Sequence, residues 1–230
     1  MTKSKTVIFI DGGFFLKRYR SLYDKERKQS AEEIAASLQQ HCLYHLHPRS
    51  PWHKNGKGER NTDLLRIYVY DCPPLEKNVQ KPISKQQEYL GNSDTAIFQN
   101  EWLKCLKKTR SVALRLGELD EKHGAWQIRR YVMQELIKKK REWSSLTDDD
   151  FRFYAKQKLV DVKLGSDITD IANKGIADRM VLIAGDRDFV PATKLARRQG
   201  IEVILDPMWN HVSEDLLEHI DRLHSVFKKS

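Results

Sequence analysis

Two stretches in which an unbroken apolar run stops at an acid constrain this chain most. One is Thr6-Val7-Ile8-Phe9-Ile10-Asp11-Gly12-Gly13; the other is Val181-Leu182-Ile183-Ala184-Gly185-Asp186-Arg187-Asp188-Phe189. Runs of Val, Ile, Leu and Phe without polar alternation suit strands covered on both faces, as in a parallel sheet. Such strands, with helical segments between them, make an α/β protein. In open α/β sheets ligands bind beyond the carboxyl ends of the strands, where these acids stand. Asp186 and Asp188, one residue apart, repel unless a cation lies between them, and Mg²⁺ or Mn²⁺ takes hard oxygen ligands. The plainer alternative makes Asp188 the cap of the following helix and leaves Asp186 facing solvent.

A third acidic segment is Asp161-Val162-Lys163-Leu164-Gly165-Ser166-Asp167. Asp167 is expected to open a helix, because Ile168, Ile171, Ala172 and Ile176 recur at helical spacing and lead into the Asp186 strand. Neighbouring parallel strands lie about 5 Å apart, so acids at strand ends and at the start of a crossover helix can converge on one site.

These segments resemble the LabA-like group of NYN-domain proteins, within the PIN-like nuclease superfamily. The resemblance rests on Val7-Ile8-Phe9-Ile10-Asp11-Gly12-Gly13-Phe14, on Gln157 to Leu164 with Asp167, on Leu182 to Pro191, and on Ala196 to Val203. It covers roughly residues 1–20 and 155–206, and the middle third agrees only in length and order. It implies a three-layer α/β/α PIN-like (Rossmannoid) domain with a central, mainly parallel sheet. It also implies an acid cluster binding Mg²⁺ or Mn²⁺, and cleavage of RNA phosphodiester bonds. Asp11, Asp167, Asp186 and Asp188 correspond to the metal-binding acids. Asp161 matches the acid of the Val-Asp-Val segment, either touching metal or orienting a ligand. Many relatives carry Asn three residues after the first Asp, where this chain has Phe14, so any polar role of that side chain is lost.

Composition bears on the partner. The 230 residues carry a net charge of +9, with dense cationic stretches at Lys17-Arg18-Tyr19-Arg20, Lys107-Lys108-Thr109-Arg110, Arg129-Arg130 and Lys138 to Arg141. Phosphate backbones bind such surfaces through counterion release. Lys17, Arg18 and Arg20, beside Asp11, are expected to contact substrate, with Arg187 between the two acids of the later motif. Lys138 to Arg141 reads instead as a solvated helix end complementing the helix dipole. The partner expected is RNA, single-stranded or structured, with homo-oligomer formation left open.

A single domain over residues 1–230 is expected, with a poorly matched insertion at about 72–150. A long polar loop is expected from His47 to Asn61, a second strand from Leu64 to Asp71, a helix around Phe98 to Leu106, and a closing helix from Ser213 to Leu223. Asp71, followed by Cys72-Pro73-Pro74, is read outside the site, and Asp148 to Asp150 as helix capping. No run approaches the ~20 apolar residues that span a bilayer, and Met1 to Thr6 leads straight into a strand without a signal peptide, so a cytoplasmic location is expected.

Other chemistries have less support. Cys42, Cys72 and Cys105 fit neither a zinc pattern nor a disulfide framework and read as small buried hydrophobes. His41, His45 and His47 share a helix end, but no carboxylate lies at zinc-site spacing. There is no P-loop, no Gly-x-Gly-x-x-Gly and no nucleophile elbow. A small-molecule phosphatase needs an acid two residues after Asp11, where this chain has Gly13. A non-catalytic RNA-binding protein on the same fold stays open because of Phe14.

Overall fold

The fold is a computed structural model that describes residues 4–47 and 62–227. Its first half runs β1 (Ser4–Asp11), α1 (Gly12–Tyr23), α2 (Ala31–Tyr44), β2 (Thr62–Asp71), β3 (Asn78–Gln80), β4 (Gln87–Tyr89), α3 (Asp94–Lys108) and β5 (Val112–Leu116). There follow β6 (Glu118–Leu119), β7 (Ala125–Ile128), α4 (Arg130–Ile137), β8 (Phe151–Tyr154), β9 (Gln157–Lys158) and α5 (Val160–Lys174). The chain closes with β10 (Arg179–Ile183), α6 (Val190–Arg198), β11 (Glu202–Asp206), α7 (Glu214–Leu217) and β12 (Arg222–Leu223).

Six strands form one parallel sheet in the order β12-β11-β10-β1-β2-β5. The expected three layers are present. One face carries Val7, Phe9 and Leu182 under α5 and α6; the other carries Ile8, Ile10 and Val181 under α1, α2 and α3. Alternate side chains of a strand point to opposite faces, so an apolar run with no polar gap is what a doubly covered strand requires. From β1 the chain moves to β2 on one side, while its other neighbour is the much later β10. This is the switch point at which open α/β sheets leave a crevice.

Local chemistry sets the helix starts. Ser30 and Glu33 form a reciprocal capping box ahead of α2. At the β1–α1 turn, a Cβ on Gly12 would stand 2.7 Å from Asp71 Oδ2 and 2.9 Å from the Tyr70 carbonyl, so only glycine lets the backbone pass. Helix α3 starts earlier than the expected Phe98, behind a Ser93 cap. The Asp148–Asp150 stretch is a short 3-10 turn with a Thr147–Asp150 capping box, as the capping reading expects.

Two expectations are corrected. Helix α5 starts at Val160, so Asp167 lies in its middle and does not open it. The segment Ser213 to Leu223 is not one amphipathic helix: α7 stops at Leu217, and β12 extends the sheet edge. Asp221 explains this break. Its N–H donates to the Val203 carbonyl and its carboxylate accepts the Val203 N–H at 2.8 Å, which commits the backbone to sheet pairing. The stretch expected as a loop from His47 to Asn61 lies, apart from His47, outside the described residues. The stretch expected as an insertion holds β3–β4 and begins two further two-stranded ribbons, β6–β9 and β7–β8, whose second strands lie just past it.

Candidate active site

Asp11 ends β1 on the face shared with Val7 and Phe9, and its Oδ1 accepts the Phe14 N–H at 3.0 Å, capping α1. Burial pushes its carboxyl up to about 6, against the lowering by Phe14, and the negative charges of Asp161 and Asp71 add to the rise. Asp71 lies below it, buried and satisfied by the Cys72 N–H, the Gln99 amide and the Trp102 indole N–H. It braces the strand end from inside.

Asp161 stands in the first turn of α5, just after Leu159, whose φ of 69° is left-handed. A leucine there is strained, and such strain gathers where surrounding structure fixes a functional geometry. Burial raises the Asp161 carboxyl, and so do the charges of Asp186 and Asp188. Asp186 and Asp188 follow β10 directly, with Asp186 Oδ1 accepting the Asp188 N–H at 3.1 Å. Capping at this turn therefore belongs to Asp186, not to Asp188 as the plainer alternative had it. Asp11, Asp161, Asp186 and Asp188 thus stand at the carboxyl end of the sheet around the β1/β10 switch point, coupled electrostatically through Asp161. No three of their carboxylates come within 4.8 Å of one another.

Asp167 is held elsewhere. Tyr70 donates its hydroxyl to Asp167 Oδ2 at 2.7 Å, and Arg115 Nε donates to the same oxygen at 3.2 Å. Six residues along a helix give about 9 Å of rise and a turn well off the starting face, so Asp161 and Asp167 cannot both aim at one ion.

Phe14 packs against the turn after β10: a Cβ added to Gly185 would stand 2.5 Å from its ring. The glycine thus makes room for an aromatic ring.

A groove of about 1030 Å³ opens between α1 and the β7–β8 ribbon; Gly13 and Asp71 line it, and Asp11, Asp161, Asp186 and Asp188 do not. Lys17 and Arg20 line it; Arg18 does not. Helical geometry explains the difference, since residues three or four apart share a face and Arg18 is turned away. Both Arg18 Nε and Nη2 donate to the Met208 carbonyl, at 3.0 and 2.8 Å, so its guanidinium ties α1 to the loop after β11. The side chain expected to contact substrate is thus engaged within the fold and outside the groove. Arg20 stacks over Phe98 with its guanidinium carbon 4.0 Å from the ring centre. Trp126, Phe153 and Tyr154 stand on the opposite wall with Arg152. Arg187 lies exposed between the two acids.

Sequence reasoning missed a second polar cluster. Among the described residues, the one group of three or more His, Cys, Asp or Glu side chains with donor atoms within 4.8 Å of one another is His41, His45 and Asp206. The absence of a carboxylate at zinc-site spacing held only locally, because Asp206 comes from β11. Burial pushes the Asp206 carboxyl up, but His41 and His45 outweigh it and hold it well below the usual range; burial drives His45 down to about 4. The His41–Cys42–Leu43–Tyr44–His45 spacing was the available signal.

A family model described as NYN domain matches residues 5–226, nearly the whole chain. No curated protein matches it.

Proposed function

The chain belongs to the NYN domain family, and on that footing we propose that it is a metal-dependent endoribonuclease. The observation that carries this reading is the placement of Asp11, Asp161, Asp186 and Asp188 at the carboxyl end of the sheet around the switch point, coupled through Asp161, together with a groove along α1 lined by cations and aromatic rings. The donor chemistry fits Mg²⁺ or Mn²⁺: four carboxylates at one end of the sheet supply only hard oxygens, and burial, with the charges of Asp161 and Asp71 after it, raises the Asp11 carboxyl to about 6. Asp167, which the family resemblance includes among the ligands, acts here through Tyr70 and Arg115 as a brace of α5.

Bound divalent metal would supply an activated water and neutralise charge at the attacked phosphodiester. The chain's own groups do the rest. Lys17 and Arg20 attract and align the phosphate backbone along α1. Asp186, by capping its own turn, keeps Asp188 at the same end of the sheet. Trp126, Phe153 and Tyr154 offer faces on which unpaired bases stack, which favours single-stranded RNA as the substrate.

The experiment is cleavage of labelled single-stranded RNA with Mn²⁺, Mg²⁺ or EDTA, run on the native protein and on Asp186→Asn. Asparagine retains the cap, so the variant is expected to melt normally, to lose cleavage and to lose Mn²⁺-dependent stabilisation. Cleavage per folded molecule that survives in Asp186→Asn, or in EDTA, rejects the metal-site reading. A second reading, RNA binding without turnover, draws on the apolar Phe14 ring packed against Gly185, next to Asp186. It is the one supported if RNA binds in the groove and is not cut with either metal.

A further inference from the structure

The buried His41–His45–Asp206 group lies on the other face of the sheet from the four acids. Asp206 shares its face with Ile204, against α1 and α2, whereas Asp11 follows Val7 and Phe9 toward α5. His41 and His45 are one helical turn apart on α2, so both imidazoles leave the same face. Their Nε2 atoms stand 2.6 and 2.9 Å from a single oxygen, Asp206 Oδ2. The other oxygen, Oδ1, accepts the Met208 N–H at 2.8 Å. All three side chains are at most 1% exposed.

A carboxylate this deep needs a positive partner, because an unbalanced buried charge is strongly destabilising. No Lys or Arg reaches it among the ion pairs of the described residues. Two histidines and a carboxylate, converging in a closed apolar setting, are a nitrogen and oxygen donor set suited to zinc. Donors of a tetrahedral zinc site stand about 3.3 Å apart, so widening the two N···O edges by roughly half an ångström would seat the ion. Zinc would then take the Nε2 lone pairs, with each neutral ring carrying its proton on Nδ1. The Nδ1 atoms of His41, His45 and His224 are buried and make no hydrogen bond. The His224 ring centre lies 5.5 Å from that of His45, making it the nearest further imidazole.

We propose that His41, His45 and Asp206 form a structural Zn²⁺ site that pins α2 to the carboxyl end of β11. It is separate from the acid cluster in position, donor type and purpose.

Elemental analysis of the full-length protein after exhaustive dialysis against EDTA is expected to find about one zinc per chain, since a closed site releases metal only on opening. Unfolding in denaturant with chelator, then refolding with and without Zn²⁺, is expected to give a higher melting temperature in the zinc sample. Refolding with Co²⁺ is expected to give the visible absorption of a tetrahedral nitrogen-oxygen site. Asp186→Asn is expected to keep its zinc, and Asp206→Asn and His45→Gln to lose it. A native protein without zinc, whose refolding and melting are indifferent to added Zn²⁺, overturns the proposal whether or not the variants fold. Zinc lost from Asp186→Asn but kept in Asp206→Asn overturns it equally.

Discussion

Asp11 shows most directly how a single side chain serves two ends. Its Oδ1 caps α1 through the Phe14 N–H, a task that asparagine performs as well. Its charge is a liability, with burial first and the neighbouring acids next raising the carboxyl to about 6 from the ordinary 3.8. A carboxyl that binds its proton more readily folded than unfolded favours the native state at low pH. That advantage is lost as pH rises from about 4 to 6. In metal-free protein, Asp11→Asn is therefore expected to be more stable than the native chain at pH 7, by at most about 3 kcal/mol. The difference should vanish at pH 4 and shrink at pH 7 when Mn²⁺ is added. Denaturant melts at the two pH values, with and without Mn²⁺, measure it; a loss of stability at pH 7 without metal would show that the charge is a brace.

Helix α1 divides its work by face. Lys17 and Arg20 line the groove, while Arg18 points away to the Met208 carbonyl. Replacing Lys17 and Arg20 together with Gln is expected to weaken RNA binding. It should also lower the slope of log affinity against log salt by about 1.4, at roughly 0.7 per phosphate contact on a single strand. Arg18→Gln is expected to do the opposite, lowering the melting temperature while leaving the salt slope unchanged. Binding isotherms at several salt concentrations beside thermal melts separate the two; equal slopes for all variants would remove α1 from the RNA path.

At the scale of the whole molecule, the groove exists because the stretch between β5 and α5 folds back opposite α1. Tyr154 ends β8 at 44% exposure, with Arg152 alongside, on the wall facing those helix cations. Tyr154→Ala is expected to cost single-stranded RNA affinity by about 1–3 kcal/mol, the range for losing one stacked base. Duplex RNA, whose bases are already stacked on each other, should be little affected, and so should the melting temperature. Titration of both RNA forms against this variant checks the point, and an equal loss on both would remove base stacking from the account.

What the sequence determined by itself lies in short range. The buried strands ending at Asp11 and Asp186, the glycine turn between β1 and α1, and the capping at Asp148 to Asp150 depend on neighbours within a few residues. Local pattern therefore contains them. The start of α5 escaped that reading because Gly165 and Ser166 imitate a helix boundary, whereas packing of Val160 and Leu164 against the sheet starts the helix earlier. Only the tertiary structure decided which cations face the groove and that Asp167 belongs to Tyr70 and Arg115. It alone brought Asp206 to His41, 165 residues away in the chain. The physical reason is the same in each case: where a polar side chain points depends on partners that no local periodicity encodes, and burial makes finding such a partner obligatory.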